Sequence, residues 1–182
     1  MTETFYSSDH HHGHKNIIKF CPATRPYASL DEMTESLIKA HNSVVTKDDI
    51  WYFLGDFAFS LNDRQMREIF HAFNGKEKHL ILGNHDHTAT MSLPWTSVSG
   101  YKLQKFGSQK VVLCHYPIIA GQWDSAHHGS ILAFGHVHGK PQYKGLNARA
   151  FDVGVDSIGP VPISYTDLKA KADKIPIEVS HH

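Results

Sequence analysis

The sequence is poor in the features that mark several large protein classes. Cysteine occurs only twice, at Cys21 and Cys114, with no CxxC spacing. That excludes a disulfide framework, and a reducing compartment is expected. No run of about 18 apolar residues is present, so no membrane-spanning helix and no membrane partner are expected. The first residues lack the basic, then apolar, then small-residue order of a secretion signal, and a cytoplasmic location is expected. Neither charge sign is in excess, with 18 Lys plus Arg against 18 Asp plus Glu. A global positive field of the kind that favours nucleic acid is therefore absent. Internal repeats, low-complexity tracts and long linkers are lacking too, and the 182 residues read as one domain, 1–182.

What the sequence has in excess is histidine, at 16 residues. Imidazole is the commonest metal ligand and the usual proton carrier near neutral pH. A lone histidine is ordinarily a surface or core residue, so position decides its meaning.

The apolar pattern predicts the elements that carry these histidines. Thr4 to Ser8 reads as a short strand. Ser29 with Glu32 forms a capping-box pattern, followed by Met33, Leu37, Ile38 and His41 at helical spacing. Ile50 to Leu54 is a continuous apolar run of strand length. Asn62 can cap a second helix with Met66, Ile69, Phe70 and Phe73 on one face, ended by Asn74-Gly75. His79 to Leu82 is another strand, which completes a β-α-β-α-β order. Beyond it, Tyr101 to Phe106 and Lys110 to Cys114 flank Gly107-Ser108 as a hairpin. Ile131 to Phe134 and Ala150 to Val155 read as further strands, and Ser164 to Lys174 as a final helix. The expected fold class is α/β, with two packed mixed β-sheets flanked by helices.

Five polar blocks directly follow strand-like runs. They are Asp9-His10-His11-His12-Gly13-His14, Gly55-Asp56, Gly83-Asn84-His85-Asp86, Cys114-His115-Tyr116-Pro117 and Gly135-His136-Val137-His138. Sites in layered α/β folds assemble at the carboxyl ends of strands, so blocks far apart in sequence can converge. Asp, His and Asn without thiolate suit a hard or borderline divalent metal. The donors outnumber what one tetrahedral ion can take.

In this order, D-x-H, G-D, G-N-H-D, a lone H and G-H-x-H, the blocks resemble the calcineurin-like metallophosphoesterase family. The D-x-H-x-G-H extension, Arg25-Pro26, the stretch Tyr52 to Phe57 and Val153-Gly154-Val155-Asp156 resemble a small bacterial and phage subgroup. The resemblance spans nearly the whole chain. It implies a metallophosphoesterase-like β-sandwich with αβ layers, and two divalent metal ions, Mn²⁺ foremost, with Fe, Zn²⁺, Ni²⁺ or Co²⁺ as alternatives. Asp9, His11 and His138 would hold the first ion, Asn84, His115 and His136 the second, and Asp56 would bridge them. His10 and His12 would be spacers. His85 would meet the substrate without ligating, and Asp86 would orient His85 through a hydrogen bond. These two are the expected catalytic residues.

The implied activity is hydrolysis of phosphomonoesters or phosphodiesters by a hydroxide bridging the two metals. Small phosphate esters or nucleotides are the expected substrates, and an open site without a cap insertion favours diesters or nucleotides. Alternatives are a metal-binding scaffold that has lost catalysis and serves protein interactions, and a nuclease, which the balanced charge disfavours. His14, Arg25, His127 and His128 are candidates for substrate binding, with exposed loop positions as the plain alternative; for His14 that alternative is capping the following helix. Trp123 reads as a loop anchor ahead of a stacking platform, and Cys114 as an inert buried thiol. Asp152 or Asp156 would hydrogen-bond a ligand histidine.

Overall fold

The apolar run Ile50–Phe53 forms strand β2 and is buried on both faces. Successive side chains of a strand point to opposite sides. Trp51 and Phe53 accordingly pack with Met66, Phe70 and Phe73 of the following helix and its end. Tyr52 and Leu54 pack the other way, with Val111, Leu113, Ile131 and Ala133 of a second sheet. The structure, a computed structural model, describes residues 2–118, 121–140 and 149–177.

The first sheet has the order β4 (Ser97–Ser99), β3 (Glu77–Ile81), β2, β1 (Thr4–Ser7), β9 (Ile163–Ser164). Its first four strands are parallel, and β9 is antiparallel to β1. The second sheet has the order β5 (Tyr101–Phe106), β6 (Gln109–Cys114), β7 (Ile131–Phe134), β8 (Ala150–Asp152). The β5–β6 pair is antiparallel around Gly107-Ser108, and β6, β7 and β8 are parallel. Both sheets are thus mixed, and they pack face to face. The Tyr6 hydroxyl donates across the interface to Gln104 Oε1 at 2.9 Å.

Helices α2 (Leu30–Asn42) and α3 (Asp63–Ala72) meet the outer face of the first sheet through Ile38, His41, Met66 and Phe70. Both start at the expected caps. Ser29 Oγ accepts from Glu32 N, and Asn62 makes a full reciprocal box with Gln65. Glu32 reaches one residue further back than a capping box requires, to Ala28 N. Helix α6 (Tyr165–Ala172) is capped by Ser164 and buries Leu168 and Ala172 in the inter-sheet core.

One element differs from the sequence reading. The strand expected over Ala150 to Val155 stops at Asp152, and Val155–Ile158 is a short helix, α5. The Asp152 carboxylate accepts the Gly154 N–H at 2.8 Å, which turns the chain out of the sheet. The short elements β4, β9, α1 (Ile17–Phe20) and α4 (Thr88–Met91) have too few residues to show a period. No helix among the described residues is long and apolar enough to cross a membrane.

Candidate metal centre

The five polar blocks follow the carboxyl ends of β1, β2, β3, β6 and β7. The two sheets join at that edge. Ser8 bridges Gly154 beyond the end of β8, and Val155 N donates to Ser8 O at 3.2 Å. Parallel strands in both sheets therefore deliver their ends to one place.

The backbone there is strained. Among the described residues, non-glycine positive φ occurs at Asp9, His11, Asp56, Ser60, Ser125, His136 and His138. All but Ser60 and Ser125 belong to the expected ligand set. A left-handed non-glycine residue costs about 1–3 kcal/mol and persists only where its surroundings over-determine it. Here the chain stays paired past the strands: Asp9 N donates to Gly55 O, His11 N to Asp56 O and His12 N to Phe57 O, at 2.9, 3.0 and 3.0 Å.

These turns aim the side chains. Asp56 Oδ2 lies 3.5 Å from His11 Nε2 and 3.6 Å from His115 Nε2. Its other oxygen, Oδ1, accepts the His85 backbone N–H at 2.9 Å, which leaves Oδ2 to face both imidazoles. Asn84 Oδ1 lies 3.1 Å from His115 Nε2 and 2.9 Å from His136 Nδ1. Asp9, His11 and His138 each offer a donor atom, mutually within 4.8 Å, and so do Asp9, Asp56 and His115. The His triplet divides sharply. His11 faces this cluster, His10 is buried among Trp51, Phe53 and Phe73, and His12 packs on Phe57 with Nδ1 against Thr34 Oγ1.

The donor set has the chemistry of a cation site. His115 Nδ1 can only donate to the Leu54 carbonyl, at 2.7 Å, which turns Nε2 toward the oxygens of Asn84 and Asp56. Both ring nitrogens of His11 are buried without a hydrogen-bond partner among the described residues. Burial, then the charges of His138 and Arg25, pushes the His11 pKa down to about 2, which keeps the ring neutral and its lone pair available. Burial raises Asp9 to about 6, against the opposing pull of His115, His138 and a 2.7 Å bond from Ser8 Oγ. Oxygens of Asp9, Asp56 and Asn84 thus converge here with ring nitrogens of His11, His115 and His136, an arrangement that divalent ions would satisfy.

Three expectations need correction. Asp86 does not orient His85: its oxygens accept the backbone N–H groups of Asp56, Phe57 and Gly83 at 2.8, 3.0 and 2.9 Å. Three convergent amides outcompete one imidazole, so Asp86 ties the β2 and β3 loops together. Arg25 is not on a rim but buried. Its guanidinium bonds Asp156 and the carbonyls of Asp9 and His10. His127 and His128 are exposed on a 3-10 turn (Ala126–His128) at the far end of the second sheet. There Gln109 donates to Gly129 O and Lys110 to Ser125 Oγ, next to the start of β6 rather than its end.

Other residues fall nearer the site. The His14 ring is 5.6 Å from His11 and 4.8 Å from Phe59, and the His85 ring is 5.5 Å from His11 and 5.4 Å from Phe59. Trp123 is an anchor, buried with Val112, Leu132 and Phe134 and donating to Ser130 Oγ. Asp156, rather than Asp152, reaches a histidine, accepting from His138 Nδ1 at 2.6 Å. Both cysteines are free, and burial raises both thiols. The sequence reading passed over Cys21, whose Sγ sits 3.9 Å from His138 Nδ1, and Ser8. A serine beside the D-x-H block was the available signal for Ser8; nothing local marks Cys21.

Comparison with known proteins finds relatives of the chain. No family model matches the chain. It is 32% identical to the uncharacterized protein MJ1445 of Methanocaldococcus jannaschii, over 90% of this chain and 88% of that one. The protein of unknown function AQ665 from Aquifex aeolicus shares the fold, with a TM-score of 0.78, 22% identity, and coverage of 94% and 100%. Yfce, a phosphoesterase from E. coli, superposes with a TM-score of 0.42 and 16% identity, over 84% and 78% of the two chains. Its ordered polar blocks converge where two mixed sheets meet, and the chain belongs to one family with MJ1445.

Proposed function

We propose that the protein hydrolyses phosphate esters with two divalent metal ions, Mn²⁺ foremost. Asp9, His11 and His138 would hold one ion, Asn84, His115 and His136 the other, with Asp56 shared between them. The observation that supports this most directly is the place of Asp56 Oδ2, 3.5 Å from His11 Nε2 of one half-site and 3.6 Å from His115 Nε2 of the other. When bound, such a pair supplies an ionised water near neutral pH and positive charge for the phosphoryl oxygens.

The chain's own groups do the rest. Asp56 Oδ1 is held by the His85 N–H, so the carboxylate cannot rotate away from the centre. The His85 ring leans edge-on against Phe59, beside His11, and is not needed as a ligand. From there it can donate a proton to the leaving oxygen and hydrogen-bond the phosphoryl group. His85→Ala is expected to lower kcat by roughly 10²–10⁴-fold, the usual range for a general acid. Mn²⁺ binding by calorimetry should be unchanged. Wild-type turnover in that variant would remove the role.

The reading itself is tested by assaying metal-free protein on aryl phosphate monoesters and diesters after adding Mn²⁺, Ni²⁺, Co²⁺ or Zn²⁺. Turnover is expected, with two ions bound per chain. Bound ions without any turnover would favour the scaffold alternative, and DNA cleavage on a gel would favour the nuclease.

Binding should also depend on pH. The folded Asp9 carboxyl titrates at about 6, above an ordinary aspartate. Above that pH it is ionised and open to the metal; below it, protons compete, at about tenfold in affinity per pH unit for a single group. The sign for stability is opposite in the metal-free protein. There the folded state holds the Asp9 proton more tightly than the unfolded chain, so this contribution is present at low pH and lost as pH rises through about 6. Mn²⁺ should therefore raise the melting temperature more at pH 7.5 than at pH 5, each measured against metal-free protein. Equal increments at the two values would contradict the assignment of Asp9 as a ligand.

A further inference from the structure

Arg25 and Asp156 lie outside the donor set, yet they join two of its parts. Arg25 follows α1, and Asp156 is the second residue of α5. Both side chains are buried. Asp156 accepts from Arg25 Nε at 2.9 Å and Nη2 at 2.8 Å, from Thr24 Oγ1 at 2.5 Å and from His138 Nδ1 at 2.6 Å. The same guanidinium reaches the other way, donating from Nη2 to Asp9 O at 2.6 Å and from Nη1 to His10 O at 2.9 Å. One planar fork thus touches the carbonyls of the strained Asp9–His11 turn and the carboxylate that holds His138.

Resting on the two-metal reading above, we infer that Arg25 and Asp156 form a positioning pair specific to the Asp9–His11–His138 half-site. Asp156 accepts the Nδ1–H of His138, which favours the tautomer whose Nε2 carries the lone pair. Arg25 holds the turn carrying Asp9 and His11 in register with that imidazole. A compact ammonium cannot reproduce five donors in a fixed plane. Cys21, His138 and Asp156 also place donor atoms within 4.8 Å of one another. The guanidinium already acts as the cation at Asp156, which disfavours a metal ion there.

The test is calorimetric titration of metal-free full-length protein with Mn²⁺, for wild type, Arg25→Lys, and the paired variant Arg25→Met with Asp156→Asn. The paired variant removes both charges together, which avoids leaving one buried and unpaired. The expected result is two Mn²⁺ in wild type. In the variants one ion should weaken by roughly 10–100-fold, the usual cost of losing a group that supports a metal ligand, and the other should be unchanged. Raising Mn²⁺ should then restore kcat. Two ions bound as in wild type, both weakened alike, or failure of both variants to fold would overturn the inference and leave the two-metal reading intact. Wild type binding fewer than two ions would instead overturn the two-metal reading, and the inference with it.

Discussion

Asp56→Asn is expected to abolish metal-dependent phosphoesterase turnover while leaving the metal-free protein folded and no less stable than wild type. Loss of activity should exceed the roughly 100-fold that outer-shell changes cost, because a bridging donor is removed. The expectation follows from the two oxygens. Oδ1 accepts the His85 N–H, and an asparagine oxygen can do the same. Oδ2 faces His11 Nε2 and His115 Nε2, and an amide there turns an acceptor into a donor. The His115 Nε2 lone pair, which now faces a carboxylate oxygen, would gain a donor. Metal-free Asp56→Asn should accordingly melt at or above the wild-type temperature, and the rise that Mn²⁺ gives the wild type should largely vanish. Thermal melts with and without Mn²⁺, beside a kcat measurement, decide it. Turnover within tenfold of wild type would show that Asp56 does not bridge.

That arrangement was only partly legible in the sequence. The period-2 burial of Trp51, Tyr52, Phe53 and Leu54 is invisible in a run where every residue is apolar, yet such a run is what a strand covered on both faces needs. The strands and the helices at Ser29 and Asn62 could therefore be read, and the two-sheet packing with them. The orientation of the loops could not. Asp9-His10-His11-His12 offers three imidazoles in a row, and nothing local says which turns inward. Left-handed φ at Asp9 and His11 does, and it is fixed by bonds to Gly55 O and Asp56 O from a strand more than forty residues away. Arg25 misled for a related reason. An arginine in a Pro-containing loop looks exposed until its partner is seen, and Asp156 lies 131 residues on. Asp86 shows the converse: its identity suited a histidine partner, but backbone amides from two loops reach it first.

The motif glycines follow from the same crowding, and Gly83 gives the second large effect. Gly83→Ala is expected to cost more than about 100-fold in activity, with weakened Mn²⁺ binding, although no charged or ligating atom changes. A Cβ at Gly83 would run into Asp56 Oδ1 and lie 2.7 Å from Asp56 N. The backbone at Gly83 is not left-handed, so the demand is for space alone. The Asp56 loop cannot easily yield, because Asp86 ties Asp56 N and Gly83 N to one carboxylate. Forcing a methyl into such a site typically costs about 1–3 kcal/mol, and the relief available is to push the bridging carboxylate off its line between His11 and His115. Gly55 and Gly135 repeat the pattern. A Cβ at Gly55 would lie 2.5 Å from His115 Nδ1, and one at Gly135 2.6 Å from Asp9 Oδ2. Gly55, Gly83 and Gly135 thus each make room for a donor contributed by a different block, so in these three blocks glycine and ligand positions are linked. Gly100→Ala supplies the control, since a Cβ there meets nothing within 4 Å. It should keep wild-type turnover, Mn²⁺ affinity and melting temperature. A Gly83→Ala protein that matches this control in all three would show that the Asp56 loop is looser than its hydrogen bonds imply.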